Sequence, residues 1–72
     1  MFLKGELINS MNFYTRRLAE AEKALEYSKA NNAPEWKIRE VQYFIRDYKE
    51  ILQEIKNDLE NHNYVDKETL EF

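Results

Sequence analysis

The residues with the clearest potential for chemistry are His62, the only histidine, and Asp58, four residues before it. On a helix this spacing places two side chains one turn apart on the same face, where both could bind one metal ion. A structural zinc site needs four ligands, however, and the chain has no cysteine to supply the others. A polar residue at the end of an apolar stripe explains His62 equally well. We therefore predict no metal site and no cofactor.

The remaining polar residues do not form a catalytic pattern. Ser10 and Ser28 have no histidine at a suitable distance along a helix, and a serine nucleophile needs an oriented base. Glu50, Glu54 and Asp58 recur every four residues, which is typical of a solvated helix face and not of an acid–base pair. A single glycine in the chain leaves no glycine-rich phosphate loop. The sequence predicts a protein that is not an enzyme.

Composition favours a few long helices in one small domain. The 72 residues are 43% hydrophobic and 35% charged, with one glycine and one proline, so turns must be few. Residues 1–72 are expected to form a single domain. The formal net charge of −3 disfavours general nucleic-acid binding, which usually accompanies a strongly basic surface. With no apolar run of membrane-spanning length and no leader-like start, we expect a cytoplasmic protein of a bacterium or an infected host cell.

The first helix is predicted over residues 5–30 from an apolar stripe with alternating steps of four and three. This spacing is typical of a helix that packs along another helix, as in a coiled coil. Glu6 in the first turn suits the positive end of the helix dipole. The residues of this stripe, the seam of the first helix, are Leu7, Met11, Tyr14, Leu18, Ala21, Leu25 and Ser28.

The second helix is predicted over residues 34–62, after a short loop. Asn31 and Asn32 suit a left-handed C-cap followed by an N-cap, and Pro34 suits the first turn of a helix. So short a loop makes the two helices antiparallel neighbours. The fold class is therefore all-α, an antiparallel helical hairpin. The seam of the second helix is Ile38, Val41, Ile45, Tyr48, Leu52, Ile55, Leu59 and His62.

Residues 63–72 form a short C-terminal segment with two open interpretations. Asp66 could be the N-cap of one helical turn, with Val65 and Leu70 as a hydrophobic staple around it. A flexible tail is the other possibility, because chain ends are often poorly ordered.

Apolar residues beside the seam predict that one hairpin does not bury its whole apolar surface. Phe44 and Ile51 each directly precede a seam residue, and Trp36 adds bulk near the loop. Chains of this size seldom hold together on one small core, and this chain has no disulfide. A homodimer in the form of a four-helix bundle would bury the flank, although a different protein docking there would do so too. The predicted dimer interface contains Phe44, Ile45, Ile51, Leu52 and Ile55.

These features predict a small interaction protein, an adaptor, inhibitor or regulator, that acts as a homodimer on another protein. A phage or mobile-element product that acts on a host protein fits the size and composition. Aromatic and arginine side chains dominate binding hot spots. The predicted contact residues are accordingly Phe13, Arg16, Arg17, Tyr27 and Tyr43.

RNA binding is the alternative function. On the outer side of the first helix, Asn9, Asn12, Phe13, Arg16 and Arg17 combine amides, a ring and two guanidinium groups that could contact phosphates and stack on a base. In size and architecture the chain resembles the Rop family, small αα-hairpins that dimerise into a four-helix bundle. That resemblance implies binding of paired RNA loops by the faces of the first helices. A membrane surface is not an expected partner, because the polar face of the second helix is acidic.

Overall fold

A computed structural model describes residues 2–65 and confirms the antiparallel helical hairpin. The chain forms a short strand β1 (Phe2–Leu3), helix α1 (Lys4–Ala30), helix α2 (Glu35–Glu60) and a short strand β2 (Tyr64–Val65). Helix α1 begins one residue before the predicted start, whereas α2 is shorter at both ends than the predicted 34–62.

In the part of the chain that the structure describes, neither helix has the length and apolar character needed to cross a membrane.

The core of the hairpin is the predicted seam between α1 and α2. Every seam residue is buried or half-buried except His62, which is exposed. The most deeply buried side chains are Leu7, Val41 and Ile55, which are 4%, 8% and 7% exposed. Apolar side chains at alternating steps of three and four stay on one side of a helix, so each helix turns a continuous stripe toward the other. This contact holds the hairpin together.

The loop between the helices ends α1 with a left-handed residue. Asn32 has φ 52°, and the N–H groups of Asn32 and Ala33 donate to the carbonyls of Lys29 and Ser28, as in a Schellman motif. Asparagine accepts this conformation better than most residues. The predicted caps were wrong by one or two positions, because the left-handed residue is Asn32 and not Asn31, and the N-cap of α2 is Pro34 and not Asn32. Because Pro34 is extended, with ψ 150°, it lies just before α2, and its carbonyl accepts the first helical hydrogen bonds.

Helix α2 ends in the same way, which corrects its predicted end at residue 62. His62 has φ 55°, and the N–H groups of His62 and Asn63 donate to the carbonyls of Leu59 and Asp58. The left-handed residue turns the chain out of the helix two residues earlier than the apolar spacing indicated. The His62 side chain therefore does not continue the seam.

The two ends of the described chain pair as parallel strands, a feature that the sequence did not predict. Phe2 pairs with Tyr64 and Leu3 pairs with Val65. The antiparallel hairpin brings the start of α1 and the end of α2 to the same end of the molecule, where the reversal at His62 lets the two strands run side by side. Val65 thus belongs to β2. The predicted helical turn at Asp66 and its contact at Leu70 lie outside the described residues.

Candidate interaction surface

The hairpin has one long apolar face, which we call the groove. It is formed by three open depressions that follow one another along the same side of the seam. Ala24 of α1 and Phe44 and Ile51 of α2, which each directly precede a seam residue, line it. Ala24 and Val41 are shared by the two depressions nearest the loop. Its apolar lining comprises Phe2, Leu7, Tyr14, Ala21, Ala24, Tyr27, Ala33, Val41, Phe44, Tyr48, Ile51 and Ile55.

The opposite long face is polar. It is made of the helix residues that directly follow every second seam position, beginning with Leu7 on α1 and Val41 on α2, which helix geometry places on the other side of the seam. Among the described residues, Ile8 is the one large apolar side chain at such a position. Every residue at these positions is exposed. The other members of this polar face are Thr15, Glu22, Lys29, Gln42, Lys49 and Lys56. The two long faces of the hairpin therefore differ sharply in chemistry.

The charges that line the groove change sign along its length. Lys23 and Lys37 line the depression at the loop end, with no carboxylate beside them in that lining. In the middle, Arg17 and Glu20 form an ion pair at 3.8 Å and cancel each other. The depression at the chain ends contains three carboxylates and no basic side chain, and these belong to Glu6, Glu54 and Asp58. The groove is basic at one end and acidic at the other.

A line of four aromatic rings crosses from α1 to α2 at the middle of the groove. Phe13 meets Tyr14 edge-on at 5.1 Å between ring centroids, and Tyr14 lies 6.0 Å from Tyr48. Phe44 continues the line, stacked 6.4 Å from Tyr48. Phe44 nevertheless remains 48% exposed in the single hairpin. The rings therefore offer apolar area to a partner while they stiffen the contact between the helices.

The five predicted contact residues are all exposed, but they do not share one surface. Arg17 and Tyr27 line the groove from α1. Phe13 and Arg16 border a hollow on the outer side of α1 that shares Ser10 and Tyr14 with the groove. Tyr43 lies on α2, where the guanidinium group of Arg46 stacks 5.1 Å from the centre of its ring.

The five predicted dimer residues also divide into two groups. Phe44 and Ile51 line the groove. Ile45, Leu52 and Ile55 lie in the seam, where α1 already covers Ile55 and half covers the other two. Of these five side chains, Phe44 is the exposed one in a single hairpin, and Ile51 is half-buried.

The predicted RNA-contact residues are brought together in part. Asn9, Asn12, Phe13 and Arg16 line the outer hollow of α1 together with Ser10 and Tyr14. Arg17 faces the groove instead, where it pairs with Glu20. The hollow thus contains one guanidinium group, one exposed ring and two amides.

His62 and Asp58 do not converge on a common point. The His62 Nδ1 atom lies 2.9 Å from the Tyr64 hydroxyl, and the Asp58 carboxylate accepts a 3.4 Å hydrogen bond from the Asn63 amide. No group of three or more potential metal ligands occurs among residues 2–65. Because His62 has left the helix, the four-residue spacing no longer places it above Asp58.

Sequence reasoning did not select Trp36 as a contact residue. It is 63% exposed and lies seven residues before Tyr43, so the two rings project from the same side of α2 two turns apart. The seven-residue spacing of two aromatic residues outside the seam was the signal for this outer pair.

The fold and these surfaces define a helical hairpin with one apolar and one polar long face. Comparison with protein-family models, curated proteins and solved structures found no match to this chain.

Proposed function

We propose that this chain is a small non-catalytic protein that binds another protein and works as a helical homodimer. The observation that carries the proposal is the contrast between the apolar groove and the polar face across the seam. Leaving a phenylalanine or isoleucine side chain in water forgoes roughly 1.5–3 kcal/mol that burial would provide. Phe44 and Tyr27 are exposed on the groove and Ile51 is half-buried there, so covering that face stabilises the hairpin.

The outer side of α2 supports contact with a second protein. Trp36 and Tyr43 are exposed at 63% and 51%, and neither lines the groove. A dimer that covers the groove leaves both rings free. Tryptophan and tyrosine are the residue types most enriched at binding hot spots, because they bury large areas at little cost in side-chain entropy. An adaptor, inhibitor or regulator of another protein would use such a pair.

Photo-crosslinking from this surface tests the protein-binding role. A photoreactive phenylalanine analogue at position 43 should capture a defined protein in the source cell, whereas the same analogue at position 49 on the polar face should not. The captured protein, once purified, should bind the wild-type chain and lose at least tenfold in affinity for Trp36→Ala plus Tyr43→Ala. Lys49→Ala is the matched control. Equal capture from both positions, or equal affinity of the variants, would rule out the outer aromatic pair as the contact.

RNA binding is a second candidate, which the hollow of Asn9, Asn12, Phe13 and Arg16 favours. An exposed ring beside a guanidinium group and two amides suits an unstacked base next to a phosphate. Retention of a structured RNA should weaken with added salt and fall at least fivefold in Arg16→Ala. Lys56→Ala, on the polar face, should retain the RNA like the wild type. Retention that is unchanged in Arg16→Ala would exclude the hollow as an RNA site.

A further inference from the structure

We propose that the occupant of the groove is a second copy of this chain laid in the inverted direction, with the loop end of each hairpin over the chain ends of the other. This inference rests on the homodimer part of the proposed function and adds the face, the direction and the charge pairs of the assembly. Two copies related in this way share one twofold axis, and the closed assembly is a four-helix bundle.

The size of the groove face is sufficient for a stable dimer. Two adjacent helices of 26 and 27 residues present a face about 40 Å long and about 20 Å wide. That area, roughly 800 Å², equals what each partner contributes to a standard stable interface. Apolar side chains lie along the whole length of this face, with charged side chains among them, so a partner of the same length and character covers it completely. A second hairpin has both properties.

Two hairpins can cover each other's grooves about a twofold axis that runs either along the helices or across them. The charges that line the groove favour the axis across the helices. If the axis ran along the helices, the Lys23 and Lys37 end of one copy would meet the same lysines of the other, and the carboxylates would meet carboxylates. An axis across the helices places Lys37 opposite the acidic end of the partner. Opposite charges across an interface favour one orientation, and like charges disfavour the other.

The positions of the residues along α2 are consistent with an axis across its middle. The midpoint between Lys37 and Glu54 falls between Ile45 and Arg46, within one turn of Phe44 in the centre of the groove. The crossing axis therefore places Lys37 opposite the partner subunit's Glu54 and brings the Phe44 rings of the two copies close together. On α1 it falls near Arg17, whose ion pair with Glu20 leaves the centre of the groove without net charge.

The neighbouring carboxylates of α2 do not alter this pattern. Glu40 and Asp47 are exposed on the same side of α2 as Glu54, fourteen and seven residues before it, but neither lines any of the three depressions of the groove. The Asp47 carboxylate lies 3.7 Å from the Arg46 guanidinium group. Lys37 and Glu54 are also exposed, so either can be replaced without opening a cavity in the seam.

Charge reversal tests the pairing. By sedimentation equilibrium, Lys37→Glu and Glu54→Lys should each raise the dimer dissociation constant by about tenfold or more, because two symmetric pairs become repulsive. The double variant with both changes should recover the wild-type constant. The controls Lys49→Glu and Glu22→Lys make the same changes of charge on the polar face and should have little effect. A double variant no better than the single variants would overturn the pairing.

Disulfide crosslinking tests the direction, since the native chain has no cysteine. A mixture of Lys37→Cys and Glu54→Cys chains should form a mixed disulfide dimer on mild oxidation, whereas neither chain alone should do so at the same rate. A dimer that forms no mixed disulfide would overturn the inverted arrangement and leave the homodimer standing. A chain that remains monomeric at micromolar concentrations would overturn both the inverted arrangement and the homodimer. The experiment on Trp36 and Tyr43 would still test the binding of another protein.

Discussion

Tyr14 of α1 and Tyr48 of α2 meet across the seam with their ring centroids 6.0 Å apart and their planes tilted by 41°. This contact marks how the two helices are aligned along their length. With Tyr14 beside Tyr48, Leu7 comes level with Ile55 near the chain ends, and both line the same depression. The alignment in turn gathers the charges of the groove into a basic end and an acidic end.

Removal of the Tyr48 ring should destabilise the hairpin. Tyr48→Ala is expected to lower the free energy of unfolding by about 2 kcal/mol, because both its seam contact with Tyr14 and its stacking on Phe44 are lost. Tyr43→Ala removes an identical side chain from an exposed position and should cost less than about 1 kcal/mol. Urea unfolding followed by circular dichroism, at one protein concentration, measures both. Equal losses would mean that the aromatic line does not stabilise the helix pair.

The most buried side chain should be the most sensitive to truncation. Leu7 is 4% exposed, so Leu7→Ala should lower the free energy of unfolding by roughly 2–3 kcal/mol through lost burial and a residual cavity. Ile8 is the matched control, since it is the next residue along α1 but is 38% exposed on the other side of the seam. Ile8→Ala should cost under about 1 kcal/mol. If Ile8→Ala lowered the free energy of unfolding more than Leu7→Ala, the rotation of α1 about its own axis would be wrong.

Glycine at position 62 should stabilise the chain. His62 adopts φ 55°, a conformation that costs a histidine roughly 1 kcal/mol and costs glycine little. His62→Gly is therefore expected to raise the midpoint of thermal unfolding by a few degrees. Asn63→Gly is the control, because Asn63 has no positive φ to relieve, and it should lower the midpoint or leave it unchanged. A lower midpoint in His62→Gly would argue against the left-handed end of α2.

Tyr64 should hold the strand pair against the start of α1. Its ring lies 5.5 Å from the Lys4 ammonium group, and its hydroxyl lies 2.9 Å from the His62 ring nitrogen. Tyr64→Phe keeps the ring and should leave the stability within about 0.5 kcal/mol, whereas Tyr64→Ala should cost about 1 kcal/mol. Hydrogen exchange at the backbone amides of β2 should quicken in Tyr64→Ala alone. Exchange unaffected by either change would show that the pair of strands does not depend on this side chain.

Much of the fold follows from local sequence pattern. The spacing from Leu7 to Ser28 and from Ile38 to Leu59 predicted which side of each helix is covered, because a helix repeats every 3.6 residues whatever surrounds it. Pro34 and the two asparagines located the loop, although Pro34 proved to precede the helix. Phe44 and Ile51 were recognised as flanking residues by the same periodicity.

The end of α2 was less predictable. The sequence at this end, Asn61, His62 and Asn63, is compatible either with a further turn of helix or with a loop that leaves the helix. His62 at the next apolar position favoured continuation, although histidine adopts the left-handed conformation more often than most residues do. The structure shows instead that the chain leaves the helix after Glu60 and that Tyr64 and Val65 return to pair with Phe2 and Leu3. Two residues at each end are too few to give a strand pattern in sequence.

The sequence by itself determined the hairpin, its seam and the residues beside it, because these depend on helix periodicity and one short loop. The tertiary structure decided how far α1 slides along α2, and hence that Lys23 and Lys37 share one end of the groove while Glu6, Glu54 and Asp58 share the other. It also decided that β1 and β2 meet. Both outcomes depend on contacts between residues far apart in the chain, such as Tyr14 with Tyr48, which the local periodicity of either helix does not specify.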